Sequence, residues 1–383
     1  MRPLLAAPAT LERLAGALDG TGPALLPTTE PRVLAALRPD EPLEHDDVAV
    51  VVPTSGSTGE PKGALLTAGN LRASAEATAA VVGEGQWLLA IPTTHIGGLQ
   101  VLVRSLLAGT LPVLLQGPTT VEAFEAATAR LDGPRRLVSL VPTQLRRLLA
   151  SPALLSYDAV LLGAAAAPPA LLAAAREAGV RVVTTYGMSE TSGGCVYDGR
   201  PLAGVTVEAG ERIRLSGPVV ARGYRLRPDL SAAAFDGDTF TTADVGHWDG
   251  DRLVVQGRAD DVVVTGGEKV APSAVEAVLA EHPAVADAAV VGVPDDEWGA
   301  RVVAVVVLRP GASLSLEQAR AHVAAVLPRA AAPRELRVVP ALPLLASGKI
   351  DRISLARAMD PVLPSPVLPS PAVARRDGRR DPS

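Results

Sequence analysis

From residue 48 onward, short runs of β-branched residues alternate with longer stretches whose apolar positions recur at helical spacing. This pattern predicts strands at 48–52, 87–91, 112–115, 137–141, 159–162 and 180–184. Between them it predicts helices at 65–81, 98–107, 121–130, 144–150 and 169–178. Such alternation, joined by right-handed crossovers, predicts an α/β fold on a mainly parallel, doubly wound sheet. Ligands of such sheets sit beyond the carboxyl ends of the strands. Past Tyr186 the texture changes. Residues 196–258 are rich in Gly, Pro, Thr and Val, and Trp248-Asp249-Gly250-Asp251 reads as a hairpin turn with Asp-Gly at its tip, so this stretch predicts an antiparallel β region. From 261 to 358, strands at 262–265, 288–293 and 302–308 mix with helices at 273–281 and 316–327.

The organisation expected from this is a large domain over residues 1–259, a small mobile α+β domain over 260–358, and a tail from 359. The tail repeats a Val-Leu-Pro-Ser-Pro unit and ends in Arg and Asp, which predicts disorder. The first forty-odd residues are Pro-rich and give only weak helical signals. The run at 302–308 is far shorter than the ~20 residues a membrane helix needs. Glu12 and Arg13 interrupt the N-terminal stretch before a signal-peptide core develops. A cytoplasmic protein without membrane insertion is expected.

Composition narrows the chemistry. A net charge of −5 over 383 residues argues against a nucleic-acid partner. One cysteine, Cys195, excludes a disulfide framework and any cysteine-based zinc cage. Of the 36 basic residues only Lys62, Lys269 and Lys349 are lysine; the other 33 are arginine. In a chain so biased, lysine is expected to persist where a planar guanidinium cannot replace a compact ammonium. Chance survival on the surface is the plain alternative for any one of them.

The strongest local signal is Thr54-Ser55-Gly56-Ser57-Thr58-Gly59-Glu60-Pro61-Lys62-Gly63. It follows a predicted strand and precedes a predicted helix, a place where backbone N–H groups can be aimed at phosphate. It is not a Walker A loop, because Lys62 follows proline and Gly63 stands where a magnesium-binding hydroxyl would be. Taken alone it is either a phosphate cradle or a flexible Gly/Ser turn.

In its wider context the loop resembles that of the adenylate-forming enzymes, which include acyl- and aryl-CoA ligases, peptide-synthetase adenylation domains and luciferases. Four further segments resemble motifs of that family in the same order: Tyr186-Gly187-Met188-Ser189-Glu190-Thr191, Thr242-Ala243-Asp244, Gly257-Arg258-Ala259-Asp260-Asp261 running into Gly266-Gly267-Glu268-Lys269, and Ser347-Gly348-Lys349. Together they span residues 50–352.

The resemblance implies ATP, Mg²⁺ and CoA as cofactor and co-substrates. It places the β- and γ-phosphates on the Thr54–Lys62 loop, Mg²⁺ on Glu190, and the α-phosphate near Thr191. Asp244 would hold the ribose hydroxyls with support from Arg258. Tyr186, Gly187, Met188 and Gly163 would belong to the nucleotide site. Lys349 would bridge carboxylate and phosphate during adenylation, and Gly266 and Gly267 would line the thiol path after rotation about Asp260.

His95, in Pro92-Thr93-Thr94-His95-Ile96-Gly97-Gly98, matches a segment near the acyl pocket; a lone histidine is otherwise a structural residue. The shortness of the chain and the small residues Ser192-Gly193-Gly194 point within the family to short ligases of a compact aromatic dicarboxylate. Departures are Ala243 for the usual glycine, Leu162-Gly163-Ala164-Ala165-Ala166 with one glycine fewer, and a missing N-terminal region that bears on the sheet edge and on any homodimer surface. Rival readings are a ligase of another acid, a nucleotide-binding regulator without turnover, and an adenylation domain for a carrier protein. No carrier-like segment follows residue 352, which weakens the last.

Overall fold

The computed structural model describes residues 2–55, 60–344 and 350–359. The chain starts with β1 (Leu4–Ala6), α1 (Leu11–Asp19), β2 (Ala24–Leu26), α2 (Pro31–Leu37), β3 (Val48–Ser55), β4 (Pro61–Thr67) and α3 (Ala68–Val82). β1, β2 and β3 run parallel and β4 closes the sheet antiparallel to β3. This corrects two expectations. The N-terminal residues are regular structure, and the strand at 48–52 belongs to this four-stranded sheet rather than to the main one.

The main sheet is built from β5 (Gln86–Leu89), α4 (Ile96–Leu107), β6 (Val113–Leu114), α5 (Val121–Thr128), β7 (Arg136–Leu140), α6 (Pro142–Leu148), β8 (Ala159–Leu162) and α7 (Pro169–Glu177). β9 (Val182–Met188), β10 (Gly193–Tyr197) and β11 (Arg200–Pro201) complete it. Its seven strands lie in the order β11-β10-β9-β8-β7-β5-β6. β5 to β9 are parallel, while β10 and β11 fold back antiparallel, so the α/β class with a mainly parallel sheet is observed. α4 is buried on nearly every side from Gly98 to Ser105, packed between α3 and the sheet.

The antiparallel region follows as expected. β12 (Thr206–Glu208), β13 (Arg214–Ser216), α8 (Pro228–Ala234), β14 (Phe235–Asp236) and β15 (Thr239–Thr241) form one small sheet. β16 (Asp244–Asp249) and β17 (Arg252–Arg258) form a hairpin with Gly250-Asp251 as its two-residue loop. Gly250 has φ +60°, the positive value a type II′ turn needs at its first central residue.

The remainder comprises β18 (Val263–Thr265), β19 (Glu268–Val270), α9 (Pro272–Glu281), β20 (Val285–Asp295), β21 (Gly299–Leu308), α10 (Leu316–Ala324), β22 (Glu335–Val338) and α11 (Arg352–Met359). It has its own apolar clusters, one on each face of the β20-β21-β22 sheet. Arg352 ties α11 to Glu276 of α9 by a two-pronged ion pair. Contact with the preceding part runs through Arg146 of α6, whose Nη1 donates to the Ala286 carbonyl at 2.6 Å, and through Ser273 Oγ on the Gln256 carbonyl. No helix among the described residues is long and apolar enough to cross a membrane.

Candidate active site

The Thr54–Gly63 segment is a hairpin tip, not a helix entry. Thr54 pairs with Lys62 and Ser55 with Pro61 across β3 and β4, and the helix expected from 65 starts at Ala68. A helix dipole therefore does not reach this loop, and any anion would be met by loop N–H groups, hydroxyls and Lys62. Gly56, Ser57, Thr58 and Gly59 lie outside the described residues. The Lys62 ammonium sits 5.1 Å from the centroid of the Tyr224 ring, a cation–π distance.

Beside it, β9 ends in a single 3₁₀ turn, Ser189–Thr191. Gly187 is obligatory there, because a Cβ on it would lie 2.1 Å from the Gly193 carbonyl oxygen of β10. Glu190 is buried and its Oε1 accepts a 2.8 Å hydrogen bond from the Tyr224 hydroxyl. Burial, reinforced by the Glu190 carboxylate, raises the Tyr224 phenol above its ordinary range, so it remains a donor. Thr191 is fully buried. Its hydroxyl donates to the Gly193 carbonyl at 2.9 Å and accepts from the Met188 N–H at 3.0 Å, so its side chain is engaged inside the turn.

A second group lies on the same side of the sheet. The Tyr186 hydroxyl donates to Asp244 Oδ2 at 2.8 Å. The turn before Asp244 tolerates Ala243 because the Thr242 hydroxyl accepts the Asp244 N–H at 2.9 Å. Arg258 is the direct cross-strand partner of Asp244, and its Nη2 donates to Asp260 at 3.2 Å. Gly163 ends β8 next to Thr185 of β9, where a Cβ would come within 2.4 Å of the Thr185 hydroxyl. Ala164, in the segment with one glycine fewer, adopts φ +69°.

His95 is the half-buried N-cap position of α4. One turn on, Ile96 and Gln100 face Gly193, each 3.6 Å from where its Cβ would be. The two segments assigned to an acyl pocket thus meet. Gly266 and Gly267 form the two-residue loop between β18 and β19, with φ of +58° and +82°, as a type I′ turn demands. Lys269 is exposed on β19, away from the groups above. Lys349 lies outside the described residues, though its flanks do not: Leu344 and Ile350 pair as an antiparallel bridge.

The structure therefore brings together Lys62, Glu190, Tyr186, Gly187, Met188, Thr191 and Asp244 on strand ends of the two sheets. Sequence reasoning missed Tyr224, the residue that joins Lys62 to Glu190. A signal existed: tyrosine is nearly as scarce as lysine, with four in the chain.

The AMP-binding enzyme family profile matches residues 8–225, and the AMP-binding enzyme C-terminal domain matches residues 274–349. The chain belongs to the AMP-binding enzyme family. It is 49% identical over 364 residues to a probable 2-succinylbenzoate–CoA ligase of Mycobacterium tuberculosis (strain H37Rv), covering 91% of this chain and 94% of that one. It is 37% identical over 383 residues to the 2-succinylbenzoate–CoA ligase of Geobacillus kaustophilus, covering 90% and 76%. Among solved structures, o-succinylbenzoate CoA synthetase (MenE) from Bacillus subtilis, in complex with its acyl-adenylate intermediate OSB-AMP, is similar with a TM-score of 0.73. That match has 30% identity and covers 92% of this chain and 82% of that one. The amide bond synthetase McbA from Marinactinospora thermotolerans is similar at a TM-score of 0.75 and 29% identity, covering 92% and 79%.

Proposed function

We propose that this AMP-binding enzyme is an ATP-dependent acid–thiol ligase that converts 2-succinylbenzoate to its CoA thioester, in the cytoplasm, for menaquinone synthesis. The observation that carries the reading is the 49% identity over nearly the whole of both chains to a relative of that name. The placement of the family motifs around one site, with small residues Gly193 and Gly194 beside α4, supports it.

In the first half-reaction a carboxylate oxygen attacks the α-phosphorus of ATP. The new acyl–phosphate bond forms as the bond to the β-phosphate breaks, and pyrophosphate leaves with the electron pair. Both reactants are anionic, so positioning and charge neutralisation are the protein's main tasks. Lys62 and the hairpin tip would meet the outer phosphates, Asp244 the ribose hydroxyls with Arg258 nearby, and Tyr186 the base. With Oε1 of Glu190 held by Tyr224, Oε2 is the oxygen that remains for Mg²⁺, a hard cation suited to carboxylate and phosphate. That ion, when bound, offsets charge on the phosphates. Lys349 would approach the reacting carboxylate and phosphate.

In the second half-reaction the CoA sulfur attacks the acyl carbon, its proton passes to solvent, and AMP leaves. Gly266 and Gly267 would border the thiol path after residues 260–358 turn about Asp260 relative to residues 1–259.

Pyrophosphate release measured on a panel of acids, with and without CoA, tests the proposal, and light scattering reads whether the ligase is a homodimer. Turnover with 2-succinylbenzoate and CoA but little with benzoate or fatty acids is expected. Preference for another acid moves the assignment within the ligases. Nucleotide binding with no release on any acid favours a regulatory binder.

A further inference from the structure

The Glu190–Thr191 turn is capped by a residue in a conformation its own chemistry does not favour. Ser192 is a non-glycine residue at φ +55° and is fully buried. Left-handed backbone of this kind persists only where the surroundings over-determine it. Each polar group of Ser192 is engaged. Its N–H donates to the Ser189 carbonyl at 3.1 Å and its hydroxyl to the Val219 carbonyl at 2.8 Å. Its carbonyl accepts two side-chain donors at once: Ser74 Oγ at 3.0 Å, from α3, and Gln100 Nε2 at 2.9 Å, from α4.

Gln100 is the less expected of the two. Its amino group also reaches the Leu71 carbonyl at 3.3 Å, while its Oε1 is buried with no partner among the described residues. An unpaired buried acceptor is destabilising, and a position that only needed filling would be better served by leucine or methionine. Local rules broken in this way concentrate where a site depends on them. The helix matters too. α4 begins next to His95, five residues and roughly 7.5 Å of helix before Gln100. One side chain therefore registers the helix on the acid side of the site against the turn on the phosphate side.

We infer that Gln100 and Ser74 are positioning residues, which fix the Glu190–Thr191 turn for nucleotide binding by clamping the Ser192 carbonyl. The inference rests on the reading of that turn as part of the MgATP site, and the test separates the two.

Gln100→Met keeps length and apolar bulk and removes the donor. Ser74→Ala removes the other donor, and Ser74→Thr restores the hydroxyl. The dissociation constant of the β,γ-methylene analogue of ATP with Mg²⁺ is measured by titration calorimetry, alongside Tm. Gln100→Met should weaken binding by about fivefold to twentyfold while Tm stays within about 2 °C of the parent, because Ser192 keeps one donor and an unpaired oxygen is removed. Ser74→Ala should weaken binding similarly, the double variant by less than the product because both share one acceptor, and Ser74→Thr should bind like the parent. Unchanged affinity in Gln100→Met, or a loss of affinity in Ser74→Ala that Ser74→Thr does not recover, overturns the clamp. Failure of the parent itself to bind the analogue removes the nucleotide-site reading, and the inference falls with it.

Discussion

The Tyr224 hydroxyl donates a 2.8 Å hydrogen bond to Oε1 of Glu190, across 34 residues of sequence. A carboxylate held by one oxygen presents the other in a defined direction, which a cation that demands regular geometry requires. Tyr224→Phe removes only that donor and leaves the ring under Lys62. A hydrogen bond to a charged group is worth about 1.5–3 kcal/mol, so the variant should raise the KM for MgATP by roughly tenfold and shift the Mg²⁺ dependence upward. The KM for the acid should barely change. Steady-state kinetics at varied Mg²⁺ check this, and an effect confined to the acid would remove Tyr224 from the metal side of the site.

The residue next to Tyr224 explains why that segment stays in place. The Arg225 guanidinium is fully buried and donates to the carbonyls of Leu37, Arg38, Glu41 and Pro42 and to the Glu44 carboxylate. Five acceptors surround five N–H donors, an arrangement an ammonium with three donors cannot reproduce. Arg225→Met should lower stability by about 3 kcal/mol, since it leaves a partly buried carboxylate and four carbonyls without their donor. Arg225→Lys should recover less than half of that. Urea unfolding followed by circular dichroism measures both, and a loss below about 1 kcal/mol in Arg225→Met would show that water replaces the guanidinium.

How far the sequence carried this reading depended on whether the deciding interaction was local. The strand Ala159–Leu162 was legible to the residue, because a β-branched run bounded by turns needs no distant partner to define it. Helix Pro169–Glu177 was legible because proline marks its first turn. The stretch Pro61–Thr67 was not: its apolar residues run straight into the following helix, and only pairing with β3 makes it a strand. The three-residue strands Leu4–Ala6 and Ala24–Leu26 are too short for any periodicity and exist because they add to the edge of β3. In the site, motif residues such as Glu190 and Asp244 were legible from spacing. Tyr224, Ser74 and Gln100 were not, because each acts through a contact far away in the chain, and nothing in its own neighbourhood records the partner.

The tyrosines give a pH signature. Burial, as the largest cause, raises the phenols of Tyr157, Tyr186 and Tyr224 above their ordinary value of 10.0; Asp244 adds to it at Tyr186 and Glu190 at Tyr224. A phenol whose pKa is higher folded than unfolded binds its proton more tightly in the folded state. Stability linked to it is intact below pH 10 and declines as pH rises beyond it. Native absorbance at 295 nm should therefore show these three phenols un-ionised at pH 10.5. The remaining absorbance should appear cooperatively with alkaline unfolding, followed in parallel by circular dichroism. Smooth ionisation of all four tyrosines near pH 10 in the folded protein would contradict the burial.

Lys349 is the lysine whose chemistry is most sharply testable. The chain replaces lysine by arginine almost everywhere, and Lys349 keeps a compact ammonium, which fits between two anions where a planar fork would grip one of them. Its flanking residues Leu344 and Ile350 pair as a bridge, and the Asp351 N–H donates to the Pro343 carbonyl at 2.9 Å, so the base of this segment is anchored to the small α+β unit. If the ammonium serves the first half-reaction alone, Lys349→Ala should cut pyrophosphate release from acid and ATP by roughly a hundredfold to a thousandfold. Thioester formation from preformed acyl-adenylate and CoA should fall by no more than about threefold, because no new charge on the phosphate has to be stabilised at that step. Lys349→Arg should restore little of the first activity, since its charge is kept and its shape is not. Equal loss of both half-reactions in Lys349→Ala would mean that the residue supports the fold or the thiol path rather than the transfer to phosphorus.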